Sequence, residues 1–258
     1  MTAVRVERDG ALAVITHSVP PVNLWDQATM DGFPAALDEI EADPPRALLL
    51  RAEGKVVSGG VDVKLFAQIE DGAAGAELWR TLLALPARLE ALPFPTVFAA
   101  HSLCLTASFE ISLACDLLLA AESAKFGLVE RVVGLTPSMG GPQRLVERAG
   151  PARARELVYT GALYDAQTLE RWNVVNRVLP DEGFDEAARA FAQDLADGPT
   201  VAHGATKRIV QATLAGGVGA ADALVPEVAG ALFDTEDLKG AVRSFLEEGP
   251  GKASFSGK

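Results

Sequence analysis

Apolar and polar positions divide the chain into two regimes. Up to about residue 145, short apolar runs alternate with longer stretches of helical spacing. VRVERDG (4–10) followed by ALAVITH (11–17) predicts an antiparallel hairpin turning at Asp9-Gly10, because an Asp-Gly pair accepts the positive φ of a tight turn. ALLLRAE (47–53), TVFAAHS (96–102) and DLLLAAES (116–123) are near-continuous apolar runs, the pattern of strands covered on both faces. Between them, DQATMDGFPAALDEIEAD (26–43) and ELWRTLLALPARLEAL (77–92) have the apolar period of helices. From about residue 151 the chain reads as mostly helical. PARARELVYTG opens on Pro151 and stops at Gly161, and DEAARAFAQDLADG stops at Gly198. PTVAHGATKRIVQATLAGG (199–217) and DLKGAVRSFLEEG (237–249) continue the helical tail, and GPGKASFSGK (249–258) predicts a loosely held end. The pattern is an α/β core followed by a helical tail, without an internal repeat.

Composition narrows the partners. With 258 residues, 49% hydrophobic and 22% charged, the chain can bury one large core. A net charge of −12 and a pI near 4.7 argue against nucleic acid and anionic membrane. An anionic ligand stays open, since a local group of Lys, Arg and helix N-termini can bind phosphates on an acidic protein. Cys104 and Cys115, without CxxC spacing, read as reduced core thiols of a cytoplasmic protein. MTAVRVERDGA has no basic segment leading into an apolar run, so no signal peptide is expected. No stretch reaches roughly 18 apolar residues free of polar breaks, so no membrane span is expected either. His17, His101 and His203 lack Glu or Cys spacing and predict no metal site. Gly59-Gly60 and Gly140-Gly141 lack the Lys-Ser/Thr of a phosphate loop.

Two carboxylates carry candidate chemistry. Between Pro95 and Ala121 only Glu110 and Asp116 are charged. An unpaired ionised carboxylate in so apolar a run costs several kcal/mol or shifts its pKa. Glu110 is therefore held by a specific network or kept because its proton does chemistry. From its position alone it equally reads as a first-turn glutamate favoured by the helix dipole. Glu130, in KFGLVERVVGL, precedes another apolar run, and beside Arg131 it also reads as a solvated surface charge. Asp116 reads as a tether for backbone at a strand start, and His101 as a hydrogen-bonded core or loop histidine.

Four segments, PPVNLWDQATMDGF around Asn23, VVSGGVDVKLF around Gly60–Lys64, AAHSLCLTASFEISLACD around Glu110 and AKFGLVERVVGLTPSMGGPQRL around Glu130, resemble the enoyl-CoA hydratase/isomerase (crotonase) superfamily. PPVNLWDQATMDGF (20–33) is similar to the family's early Asn-containing turn, with Asn23 at the match. VVSGGVDVKLF (56–66) resembles the F-A/S-A-G-A-D-I/L-K segment and aligns Gly60, Val61, Asp62, Val63 and Lys64. AAHSLCLTASFEISLACD (99–116) resembles V-N-G-x-A-x-G-G-G-x-E-L-x-L-x-C-D, matching Glu110 and Cys115-Asp116. AKFGLVERVVGLTPSMGGPQRL (124–145) resembles the second glutamate segment, placing Glu130 and matching Gly134, Pro137, Gly140, Gly141, Gln143 and Arg144. These matches follow the family's order, and later helical segments extend the likeness to nearly the whole chain.

The resemblance implies an α/β, ββα spiral core over residues 1–200. It also implies a C-terminal helical region, 201–258, that assembles homotrimers or dimers of trimers. It implies an acyl-CoA substrate, with CoA entering only as part of it and no other cofactor. Backbone N–H groups of Val61 and Ala107 would stabilise an acyl-thioester enolate, as preorganised donors do for a developing oxyanion. Asn23, Gly60, Asp62 and Val63 would line the CoA groove, and Lys64 would meet phosphates. Glu110 and Glu130 would hold the water that adds across an α,β-unsaturated thioester.

The sequence departs from the pattern at the site itself. Thr106, Ala107 and Ser108 replace the family's glycines, His101-Ser102 replaces Asn-Gly, and Val129 replaces the proline before the second glutamate. An Arg131 facing Glu130 would depress its pKa, although neighbours on a turn point in different directions. Other readings therefore stand beside hydration: double-bond isomerisation on the later glutamate, another acyl-thioester reaction such as dehydration, decarboxylation or C–C cleavage, or a weakly active acyl-CoA-binding homologue.

Overall fold

The computed structural model describes residues 2–258. Its elements run β1 (Val4–Asp9), β2 (Leu12–His17), β3 (Leu24–Trp25), α1 (Gln27–Ala42), β4 (Ala47–Ala52), β5 (Gly60–Val61), α2 (Gly72–Ala91), β6 (Thr96–Ala100), β7 (Cys104–Leu105), α3 (Ala107–Ala114), β8 (Leu117–Ala121), β9 (Lys125–Gly127), α4 (Gly141–Thr160), β10 (Tyr164–Asp165), α5 (Ala166–Arg171), β11 (Arg177–Leu179), α6 (Phe184–Asp197), α7 (Thr200–Gly230) and α8 (Glu236–Glu248).

The order repeats as long strand, short strand, helix: β2-β3-α1, β4-β5-α2, β6-β7-α3 and β8-β9-α4. The long strands form one sheet in the order β1-β2-β4-β6-β8-β11, parallel except for the β1–β2 hairpin. The short strands pair separately, β3 with β5 and β9 with both β7 and β10, and a Ser58–Cys104 bridge joins the two groups. This is the ββα spiral, and it stacks the short strands and helix starts of successive turns beside one another.

Apolar continuity explains the long sheet. Leu12, Ala13, Val14 and Ile15 are fully buried, as are Leu48 and Val97, so both sheet faces are covered. Each such Leu, Ile or Val contributes about 1.5–3 kcal/mol. Helix starts carry the expected caps: Asp26 accepts from Thr29 N (2.9 Å), Asp71 from Ala73 N and Ala74 N, and Asp165 from Thr168 N (2.7 Å). A cap of this kind is worth about 1 kcal/mol. The start of α3 has no side-chain cap, although Thr106 stands at the capping position.

Two expectations change. Pro151 does open a helical segment, but it continues across a break at Gly150 from a first segment beginning at Gly141. The C-terminal residues are not loose: Asp237 accepts from Ser256 N (2.6 Å) and Gly257 N (2.9 Å), and Arg46 donates to the Phe255 carbonyl (2.9 Å). A buried carboxylate collects the tail's free N–H groups, which composition alone does not reveal.

Helix α7 opens at Thr200 and is tied to the core by Lys207, which pairs with Asp116 at 2.9 Å. The helical stretch Thr200–Asp234 has a window of mean hydropathy 1.3 that is 6% buried, so by length and composition it could cross a membrane. Gly217 (φ 74°, ψ −179°) breaks it into two segments, each shorter than the ~20 residues a bilayer crossing needs.

Candidate active site

Glu110 sits in the first turn of α3, a helix whose eight residues are all buried, and is itself 2% exposed. Its Oε2 accepts hydrogen bonds from the backbone N–H groups of Met139 and Gly141, each at 2.8 Å. Gly141 must be glycine for this approach, since a Cβ there would stand 2.9 Å from Glu110 Cγ. Arg144 fixes the same turn by bridging Glu90 (2.7 Å) and the Gly140 carbonyl (3.1 Å). Burial pushes the Glu110 carboxyl up to about 7, against the opposing pull of the backbone donors and Arg144.

Glu130 begins a short 3-10 turn, Glu130–Val133. Its Oε2 is buried and has no hydrogen-bond partner among the described residues. Burial, and then the negative charge of Glu110, push its carboxyl up to about 8. Arg131 does not relieve it: its guanidinium turns away and donates to the carbonyls of Tyr159 (2.7 Å) and Thr160 (2.9 Å). Burial thus strengthens both glutamates' hold on a proton, and the Glu110 charge adds to that of Glu130, the arrangement expected of an acid–base pair.

Both carboxylates line one cavity of about 220 Å³, with apolar walls from Phe66, Trp79, Leu82 and Met139 and an edge formed by Gly60, Val61 and Thr106. Larger hollows of about 360 Å³ beside His101 and about 580 Å³ beside His203 hold neither Glu110 nor Glu130. The smaller cavity is the candidate active site.

Two amides next to that edge lack a partner within their own strand or helix. Asp62 N donates to Trp25 O at 3.0 Å, and successive N–H groups of a strand point to opposite sides, so the Val61 N–H turns away from β3. Ala107 is the first residue of α3, where the N–H has no partner within the helix. Gly60 (φ 108°) and Thr106 bring these two peptides together, since a Cβ on Gly60 would lie 3.1 Å from Thr106 Oγ1.

The residues that replace the family's glycines have different surroundings. Ser108 accepts a hydrogen bond from Trp25 Nε1 at 2.6 Å, anchoring α3 to β3. Ala107 is 1% exposed. Thr106 adopts φ 49°, ψ −121°, a region in which a β-branched residue is strained by about 1–3 kcal/mol. Its hydroxyl is buried and unpartnered, which adds about 1–3 kcal/mol.

The remaining sequence candidates spread out from the cavity. Val63 lines its mouth, and Lys64 is exposed beside it on a turn fixed by Lys64 N donating to Asp62 Oδ1 at 3.0 Å. Asn23 is buried, and its side chain clasps backbone: Nδ2 donates to Glu53 O and Val56 O, and Oδ1 accepts from Val19 N. It shapes the loop leading to β5 and does not border the cavity. His101 bonds the Gly54 carbonyl at 3.1 Å, and Asp116 receives Thr96 N at 2.8 Å, the tether its position suggested. Among the described residues no group of three His, Cys, Asp or Glu is placed to hold a metal ion.

A sequence model described as Enoyl-CoA hydratase/isomerase matches residues 7–258. The chain belongs to the enoyl-CoA hydratase/isomerase family. A probable enoyl-CoA hydratase of Mycobacterium tuberculosis is 31% identical over 250 residues, 94% of each chain. A short-chain-enoyl-CoA hydratase of Clostridium acetobutylicum is 28% identical over 252 residues, again 94% of each. A crystal structure of an enoyl-CoA hydratase subunit from Geobacillus kaustophilus superposes with a TM-score of 0.91 at 30% identity, covering 99% of this chain and 98% of that one.

Within this hydratase/isomerase frame, the site holds residues that sequence reading did not single out. The Met139 amide and the apolar wall of Phe66, Trp79 and Leu82 come from segments far from Glu110 in sequence. The Gly140-Gly141 pair was the available signal for the anchoring turn. Nothing in the sequence marked Thr106 as strained.

Proposed function

We propose that the protein adds water across the double bond of an α,β-unsaturated acyl-CoA thioester. The observation that carries this reading is the convergence of two buried carboxyls with raised pKa on one apolar cavity beside the Val61 and Ala107 amides. The thioester oxygen accepts from both amides, which lowers the barrier to the enolate in a site poor in water. Glu110, its charge supported by two backbone donors, is the base on the water that attacks the β-carbon. Glu130, with an unpartnered oxygen and the higher pKa, holds the proton delivered to the α-carbon. The reverse reaction, loss of water from a 3-hydroxyacyl thioester, runs through the same atoms. Single-base isomerisation leaves Glu110 without a task, so hydration accounts for more of the site.

In this reading the pantetheine follows the Gly60–Val63 backbone and Lys64 meets the phosphates at the mouth, with the Asn23 clasp shaping the loop. The enzyme needs no cofactor beyond the CoA its substrate carries. Exposed Leu214, Val218, Phe233, Phe245 and Leu246 on and around α7 and α8 support a homotrimer or dimer of trimers in which these faces are covered. Cys104 and Cys115, both free and buried, fit the reducing cytoplasm. The test is a panel of enoyl-CoA thioesters of varied acyl length followed by loss of enone absorbance. Turnover on at least one is expected, and none on any overturns the reading.

A further inference from the structure

Of the three side chains that replace glycine before Glu110, only Thr106 has no structural partner. Ser108 is used by Trp25, and Ala107 carries no polar atom. The Thr106 residue is 6% exposed, and its Oγ1 finds no hydrogen-bond partner, yet it borders the cavity that holds Glu110 and Glu130. A threonine ahead of a helix ordinarily caps it from an extended conformation. Here φ 49° and ψ −121° keep the hydroxyl from capping α3, and it stands against Gly60 instead. Glycine would remove both the backbone strain and the orphaned hydroxyl.

The position of the hydroxyl says what it meets. Thr106 directly precedes the Ala107 amide, and Gly60, its contact, directly precedes the Val61 amide. The hydroxyl is therefore flanked, at the cavity edge, by the two peptides whose N–H groups lack a strand or helix partner. Neither glutamate accepts from it.

We propose that the Thr106 hydroxyl is a third donor to the thioester oxygen, joining the Val61 and Ala107 amides; this rests on reading the cavity as an acyl-thioester site. A side-chain donor here adds to the field of the α3 N-terminus, where negative charge develops during the reaction.

The test compares Thr106→Ser, Thr106→Ala and the isosteric Thr106→Val with the unaltered protein. The probe is cinnamoyl-CoA, whose conjugated acyl absorption moves to the red when its carbonyl oxygen is polarised. Its red shift on binding is read together with hydration kcat, calorimetric affinity and melting temperature. The expected result is a full red shift in the unaltered protein and in Thr106→Ser. Thr106→Val and Thr106→Ala lose part of the shift and on the order of tenfold or more in kcat, less than the loss of a sole oxyanion donor. Their affinity for the thioester stays within about threefold, because the lost bond strengthens only as charge develops, and their melting temperature does not fall. A full shift and full kcat in Thr106→Val overturn the proposal while leaving the acyl-thioester reading intact. Should the Val variant fail to fold, the Ser–Ala comparison decides. Absence of binding or of any red shift in the unaltered protein removes the acyl-thioester reading, and the Thr106 role with it.

Discussion

Replacing Gly141 by Ala tests whether the turn before α4 sets the reactivity of Glu110. The added Cβ would lie 2.9 Å from Glu110 Cγ and 3.0 Å from its Oε2, inside contact distance, with the helix start on one side and a packed core on the other. The carboxylate has to move by a few tenths of an ångström, which stretches the 2.8 Å bonds from Met139 N and Gly141 N. Hydrogen bonds to a charged group are worth about 1.5–3 kcal/mol each. Loss of about half of two such bonds is roughly 1.5–3 kcal/mol, or a fall of about 10- to 150-fold in kcat. The same donors hold the Glu110 pKa down against burial, so weakening them raises it above about 7. The limb of the pH–rate profile that reports the ionised base then moves to higher pH. The assay is kcat and kcat/KM for enoyl-CoA hydration across pH, with thioester affinity measured in parallel and expected to stay unchanged. Crowding of this kind costs about 1–3 kcal/mol of stability, so the melting temperature is followed alongside and kcat is read where the variant is fully folded. A kcat within about threefold of the parent and an unmoved limb would refute the claim that this turn tunes Glu110.

Stability should fall as pH rises through the region where the two glutamates titrate. Their folded pKa values, about 7 and about 8, lie above the ordinary 4.5, so the native state keeps protons that the unfolded chain releases. That contribution is complete below 4.5 and is lost as pH climbs through the folded values. Buried His17, held down to about 4 from 6.5, works in the opposite sense at lower pH, so the melting temperature is best followed from pH 6.5 to 9. A decline that Glu130→Gln flattens is expected; an unchanged slope in that variant contradicts it. Asp237→Ala leaves the Ser256 and Gly257 amides unpaired and should cost about 2–3 kcal/mol, a drop of roughly 5–10 °C by calorimetry. A melting temperature equal to the parent's would mean the tail is not held by Asp237. In solution, light scattering should give three or six times the 27.0 kDa chain mass, and Leu214→Glu should lower it; a monomeric parent at micromolar concentration rules this assembly out.

Much of the fold was legible because its strands are long enough to carry a pattern. The turn at Asp9-Gly10 and the apolar runs at 47–53, 96–102 and 116–123 all became strands of the large sheet. The short strands were not visible, since two or three residues such as Gly60–Val61 or Cys104–Leu105 cannot show a period. The first segment of α4, GPQRLVERA, hid because only Gly141 and Leu145 of it are buried, too few to show a period, and its start has no capping side chain. At the site, apolar sequence around Glu110 correctly announced a buried carboxylate. Its anchors could not be read from that run, because Met139 and Gly141 reach it only through tertiary folding. The direction of Arg131 was equally beyond the sequence: Gly161 leaves room for its side chain, and the carbonyls of Tyr159 and Thr160 hold its guanidinium away from Glu130.

The central claim is that Glu110 and Glu130 act as one unit on one water. It is tested most directly by hydration of an enoyl-CoA thioester with Glu110→Gln, Glu130→Gln and the double variant, each checked for thioester affinity. The amide keeps the shape and can still hydrogen-bond, but it cannot take or give the proton. Each single variant should lose about 10²–10⁴ in kcat with affinity nearly unchanged, and the double variant should be little worse than the poorer single. Loss of activity in Glu130→Gln alone would point to a single-base isomerase, and full activity in both would contradict the account.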